Sequence, residues 1–426
     1  MTASISSPTP GQQARPWNTS TFDLAAAGYE EVEVFLAGEV RGRATADGAD
    51  SGQPYKTRMI IRRPADASRF TGRVLVEWMN VSAGRDVDVS WPAVWPMIVR
   101  EGWAFVGVCA QPVGLEHARA WDPARYGSLV HPGTPEGEMP AFVRDETFSD
   151  AIFTEAAQAL AGPDGVELLG AAPELLLAHG QSQSSMRLAA YLTTEHVRAP
   201  VFGGYLLHAG GSARLVDGAI VRTPLALPDD ATVVLHVNSE AEATGAFGDN
   251  LVDDPRYRYW EVAGSGHTPA TTSREVRARG ESDRPTPSIP FGPPTIEYAL
   301  RAALVALDTW IGGGDAPAAP PLVETTVDAE GTKTVVTDEH GNAKGGLRLP
   351  HIEVPLGRFY ARHPEPGLDL AAGYVAFDDD TLRALYGNPD QYRERVEAAS
   401  KEAVAAGVLL SDDAVLVAAD AAAVTF

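Results

Sequence analysis

The stretch LLLAHGQSQSSMRLAAYLTT, residues 175–194, constrains this chain more than any other. Its first five residues read as a short buried strand. The residues from Ser184 onward have the spacing of a helix. Only a sharp turn fits between the two. At its apex stands Ser182, with Gly180 two residues before it and Ser184 two after. Small residues at those places suit a crowded strand–turn–helix junction that holds the central side chain out. The common form is G-x-S-x-G, and here serine replaces the second glycine. A serine hydroxyl is a weak nucleophile and needs such an exposed place beside a base. The competing reading is an ordinary turn whose serine caps the helix.

The rest of the chain supplies the alternation that such a junction requires. The segments YEEVEVFLAGEV and YKTRMIIRRP, between Tyr29 and Pro64, read as antiparallel strands. VLVEWM at 74–79 and AFVGVCA at 104–110 are buried-strand runs, with a helix bearing Trp91, Trp95, Met97 and Ile98 between them. Further strands are expected at 201–209, 232–237 and 257–262, and further helices at 149–160 and 296–311. Strand–helix–strand alternation predicts an α/β fold with a mostly parallel central sheet flanked by helices. Residues 111–148 break the rhythm, and a connection so long is expected to be a cap or lid. Residues 1–20, rich in Ser, Pro and Gln, are expected to be a disordered arm. The core then runs over 21–315 and includes the 111–148 insertion, and 316–426 is a C-terminal extension packed on it. In that extension TTVDAEGTKTVV reads as a hairpin of short polar strands and 345–355 as an extended segment.

A base and an acid are needed for Ser182. Where a serine stands on such a turn, the acid and then the histidine follow in chain order. His267, in the small-residue loop after the strand YRYWEV, stands where the base is expected. The acid is expected just after TVVLHV, in Asn238-Ser239-Glu240-Ala241-Glu242. Glu240 is preferred there, with Glu242 as the alternative. Either carboxylate could hold the imidazole in one tautomer and stabilise the imidazolium. The developing oxyanion calls for two aimed N–H groups. Gln183, at the helix start, is one candidate. Asn80 and Val81, after VLVEWM, are candidates for the other, although the Asn80 side chain could equally brace the loop. Trp121, Tyr126 and Phe142 in the insertion could line an apolar acyl pocket or seal the insertion onto the core.

Composition removes several other functions. The net charge of −23 gives no basic footprint for nucleic acid and disfavours an anionic membrane surface. Cys109 is the single cysteine, so an intrachain disulfide and a cysteine-based zinc site are excluded. No histidine–acid spacing suggests a metal, and none is expected. The first twenty residues do not read as a signal peptide, and no apolar run is long enough to span a bilayer, so a cytoplasmic protein is expected.

Several segments together resemble the large bacterial "alpha/beta hydrolase domain" family of serine esterases. They are VEWMNVSAGRD, DPARYGSLVHPG, HGQSQSSMRL, WEVAGSGH, GNAKGGLRLP at 341–350 and LRALYGNPDQY. They run from about residue 30 to the C-terminus. The resemblance implies an α/β-hydrolase fold and a Ser–Glu–His hydrolase acting on a small carboxylic ester or lactone without a cofactor. Acyl transfer by the same three residues and a non-catalytic binding protein on the same fold are the alternatives. Homo-oligomerisation is left open.

Overall fold

The computed structural model describes residues 3–41, 52–133, 147–216, 219–245, 251–368 and 370–426. The chain divides into two compact units, Met1–Thr232 and Val233–Phe426.

In the first unit the strands are β1 (Ser4–Ser6), β2 (Tyr29–Val40), β3 (Gln53–Pro64), β4 (Arg73–Trp78), β5 (Ala104–Val108), β6 (Leu175–Gln181) and β7 (Gly204–His208), with a small separate hairpin of β8 (Ala213–Val216) and β9 (Ala219–Arg222). Their sheet order is β1-β2-β3-β5-β4-β6-β7. β5, β4, β6 and β7 are parallel, while β1, β2 and β3 add on antiparallel. β4 and β6 are buried almost throughout, as their unbroken apolar runs require for strands covered on both faces. Helix Trp91–Glu101 returns the chain from β4 to β5. It buries Trp91, Val94, Met97 and Ile98 and stops at Gly102 in the left-handed region (φ 67°).

Residues 3–20 are not a disordered arm. β1 pairs with β2, and Trp17 is only 5% exposed. The Trp17 indole N–H donates to Asp86 O (2.9 Å), and Arg58 and Arg62 donate to the carbonyls of Trp17 and Asn18. Those guanidiniums are buried and ion-paired, Arg58 with Glu33 and Arg62 with Asp88 (2.7 Å). Such pairs need further hydrogen bonds to offset their desolvation, and the arm's carbonyls supply one to each guanidinium.

The start of the 111–148 insertion is helical rather than irregular, over Pro112–Trp121 and Pro123–Tyr126, each opening with proline in its first turn. Leu115, Ala118, Tyr126 and Leu129 join Trp17, Phe35 and Cys109 in one apolar cluster.

In the second unit β10 (Val233–Ser239) and β11 (Tyr257–Val262) are parallel neighbours, in register from Val234↔Tyr257 to Ser239↔Val262. Helix Ile296–Ile311 buries Leu300, Leu304 and Leu307. The region 269–294 contains helix Ala270–Ala278. Thr325–Val327 and Lys333–Val335 form the polar hairpin. The segment 345–355 is not wholly extended, because Pro350 opens a helical turn to Glu353. Its first part runs beside the end of β11, where Leu347 N donates to Glu261 O (2.6 Å) and Ala263 N to Leu347 O (3.1 Å). Among the described residues no helix is long and apolar enough to cross a membrane.

Candidate active site

Ser182 sits between β6 and helix Gln183–Tyr191 with φ 57° and ψ −113°. A non-glycine residue there carries strain of order 1–3 kcal/mol and is held only where its surroundings enforce it. The enforcement is visible. Ser182 N donates to His208 O on β7 (2.8 Å), and Ser182 O accepts from Met186 N (3.1 Å). A Cβ on Gly180 would lie 2.7 Å from the Ser184 carbonyl, and one on Gly210 would lie 2.8 Å from Ser182 O. The junction therefore requires glycine at 180. Position 184 tolerates a fully buried serine. The Ser182 side chain makes no capping hydrogen bond to the helix, so the capping reading has no support.

Two backbone N–H groups flank this turn. β4 and β6 are parallel with Glu77 opposite His179, so Val81 and Gln183 each come four residues beyond a matched pair, at the same end of neighbouring strands. Among the described residues neither N–H has a protein acceptor. Asn80 is different, and its expected role as a backbone donor is corrected. Its N–H donates to Val87 O (3.1 Å), closing a small bridge. Its side chain ties the two loops together, donating to Gln181 O (2.8 Å) while its Oδ1 accepts from Ser82 N (2.9 Å).

Beneath the turn, His179 and Glu77 are wholly buried, with His179 Nδ1 3.8 Å from Glu77 Oε1. Burial pushes His179 down to about 3, so it is neutral. Burial pushes Glu77 up to about 8 despite hydrogen bonds from Ser90. Three other histidines are engaged elsewhere. His117 packs edge-on against Trp17, His131 meets Ala110 O and Ser149, and His236 bonds Tyr257.

In the second unit, His267 Nδ1 lies 2.7 Å from Glu242 Oε1. The carboxylate at the imidazole is therefore Glu242, and the preference for Glu240 is corrected. β10 continues two residues past Val237 and ends on Ser239, which caps the short helix Glu240–Ala243. Ser239 and Glu242 form a reciprocal capping box, in which Glu242 Oε2 accepts from both Ser239 N (3.1 Å) and Ser239 Oγ. One carboxylate oxygen thus fixes the helix start and the other faces the histidine. Burial alone would raise the Glu242 carboxyl, but the neighbouring imidazole and the hydrogen bonds from His267 and Ser239 hold it below its ordinary value. Glu240 points to the start of the histidine loop, where its Oε2 accepts from Gly264 N (2.7 Å). Burial pushes its carboxyl up to about 7, against the opposing effects of that N–H and the Arg348 charge. The Ser-x-x-Glu spacing at 239–242 was the sequence signal that would have singled out Glu242.

The pocket assignments fare differently. Tyr126 is fully buried, and its hydroxyl donates to Glu33 Oε1 (2.8 Å) and accepts from Trp17 N (3.0 Å). Trp121 packs on the same cluster, edge-on to Trp17 at 5.2 Å. Both rings pack on the apolar cluster that joins the start of the insertion to Trp17 and Phe35. Phe142 lies outside the described residues. Among the described residues no three His, Cys, Asp or Glu side chains converge as metal ligands.

The family model described as "Alpha/beta hydrolase domain" matches residues 5–419. No curated protein matches the chain. Among solved structures, similarity extends to a prolyl endopeptidase (14% identity, 55% of this chain and 35% of that chain, TM-score 0.28). It extends also to a thermostable esterase from Pseudomonas putida (15%, 52% and 66%, 0.29). A third is the apo prolyl oligopeptidase B of Galerina marginata (16%, 60% and 35%, 0.30). The chain matches about a third of the length of these peptidases, and none of these likenesses bears on the reaction.

Proposed function

This chain belongs to the alpha/beta hydrolase domain family, and we propose that within it the chain is a serine hydrolase that cleaves a neutral, moderately apolar carboxylic ester or lactone. Ser182 is the nucleophile, His267 the general base and Glu242 the acid that orients it. The Ser182 Oγ–H bond breaks as Oγ bonds to the acyl carbon, and the proton passes to His267 Nε2. Glu242 holds Nδ1–H and stabilises the imidazolium. The Val81 and Gln183 N–H groups receive the negative charge on the former carbonyl oxygen, aided by the start of helix Gln183–Tyr191. Collapse expels the alcohol, which takes the proton from His267. Water then adds to the acyl-enzyme, again through His267, and releases the acid and Ser182.

The observation that carries this reading is the backbone of Ser182, strained at φ 57° at the junction of β6 and helix Gln183–Tyr191. The net charge of −23 argues for an uncharged substrate over a polyanion. The experiment is turnover of short p-nitrophenyl esters by Ser182→Ala. Loss of turnover in a folded protein is expected, and wild-type turnover would sink the mechanism.

A further inference from the structure

Two carboxylates leave the single turn Glu240–Ala243, and both end on the four-residue loop Gly264–His267. Glu242 holds its far end, the imidazole, at 2.7 Å. Glu240 holds its near end, the Gly264 N–H, also at 2.7 Å. We propose that Glu240 is a positioning residue, whose grip on Gly264 sets the register of the loop and so delivers His267 to Glu242. This rests on the reading of His267 as the base.

The loop has little freedom to find that register unaided. Gly264 lies in the left-handed region (φ 69°), and a Cβ there would stand 2.1 Å from Ile352 Cδ1. Its carbonyl accepts from Thr295 Oγ1 (3.2 Å). A Cβ on Gly266 would stand 2.3 Å from Ala372 N. The loop is thus squeezed between β11 and the C-terminal segments. Its Gly264 N–H is satisfied by the Glu240 carboxylate and its Gly264 carbonyl by Thr295. Ser265 makes the second tie to the turn. Its Oγ receives the Glu240 N–H (3.3 Å) and donates to Val262 O (2.5 Å). Glu240 therefore meets the loop with its backbone and its side chain, at adjacent residues.

Glu240 is 8% exposed. A buried acid kept at such a cost, when an apolar residue would pack without it, is expected to serve geometry. Without it the Gly264 N–H is buried without an acceptor, and the loop is released to seek another.

The test compares Glu240→Ala, Glu240→Asp and Glu240→Gln. Glutamine presents an amide oxygen to Gly264 N–H at the same reach, and wild-type kcat is expected. Alanine removes the acceptor, and aspartate withdraws it by one methylene while keeping the charge. In both, kcat should fall by up to ~10²-fold, the scale on which misplacement of about 1 Å acts, with KM little changed. The downfield Nδ1 proton resonance of His267 reports its bond to Glu242 without any turnover. It should shift or broaden in the alanine and aspartate variants and return in the glutamine variant. Wild-type kcat and an unmoved resonance in the aspartate variant overturn the proposal, even if the alanine variant does not fold. So does a glutamine variant as impaired as the aspartate one. Loss of the hydrolase reading itself would show instead as full activity in Ser182→Ala, which leaves the resonance test intact.

Discussion

Glu242→Gln is the substitution on which the two oxygens of one carboxylate give opposite demands. Oε2 accepts from Ser239 N–H and Oγ–H, and Oε1 faces His267 Nδ1 at 2.7 Å. A carboxylate satisfies all of these as an acceptor. An amide has one acceptor and one donor end, so one side must be lost. The Ser239 N–H is a buried backbone donor at a helix start and leaves no choice but an oxygen there. The amide NH2 is then forced onto Nδ1, which must become an acceptor, and the proton moves to Nε2. That is the tautomer that cannot take a proton from serine. Loss of the acid in a related triad costs ~10⁴-fold in kcat, about 5.5 kcal/mol at 1.36 kcal/mol per tenfold. The assay is steady-state hydrolysis of p-nitrophenyl acetate and butyrate, with circular dichroism to establish the fold. Glu240→Gln is the control and should lose far less, because its amide oxygen still accepts from Gly264. A Glu242→Gln enzyme within about tenfold of wild type, or a more damaging Glu240→Gln, would refute the reasoning.

Other outcomes follow from the same contacts. Gly180→Ala places a methyl 2.7 Å from the Ser184 carbonyl; a loss of about 1–3 kcal/mol in urea unfolding is expected from overpacking, with activity lost as the turn shifts. Trp17→Ala should cost roughly 3–5 kcal/mol, as for a large buried aromatic, while leaving the ratio of activities on short and long acyl esters unchanged. Glu77, at about 8 in the folded protein and ~4.3 when unfolded, takes up a proton on folding at pH values between the two. Between those values the native state binds more protons, so its contribution to stability falls as pH rises. Glu77→Gln should flatten that fall in urea midpoints measured from pH 5 to pH 8.5.

Much of this architecture was legible in the chain, and the exceptions have physical causes. β4, β5 and β6 were readable because strands covered on both faces cannot conceal their apolar runs. The turn at Ser182 was readable because Gly180 faces the Ser184 carbonyl, where no Cβ fits. Chain order pointed to His267, whose imidazole meets a carboxylate, and its role as the base is part of the proposed function. Which carboxylate was not readable from strand length alone, because β10 runs two residues further than its apolar run suggests. The Ser239–Glu242 box, a helix-start signal, carried that information. Trp17 was missed because its segment is polar and proline-rich. The reason it is ordered lies far away in sequence, in Arg58, Asp86 and Tyr126. Trp121 and Tyr126 were ambiguous for the same reason: an aromatic ring in a long connection looks alike whether it meets substrate or core.

The central claim is that Ser182 is the activated nucleophile. A fluorophosphonate reagent tests it most directly, with the modified residue located by mass spectrometry of the digested protein. The account predicts stoichiometric loss of esterase activity with one adduct, on Ser182, and no adduct in folded Ser182→Ala. Inactivation with the adduct on any other residue, or a fully active protein that the reagent does not label, would contradict it.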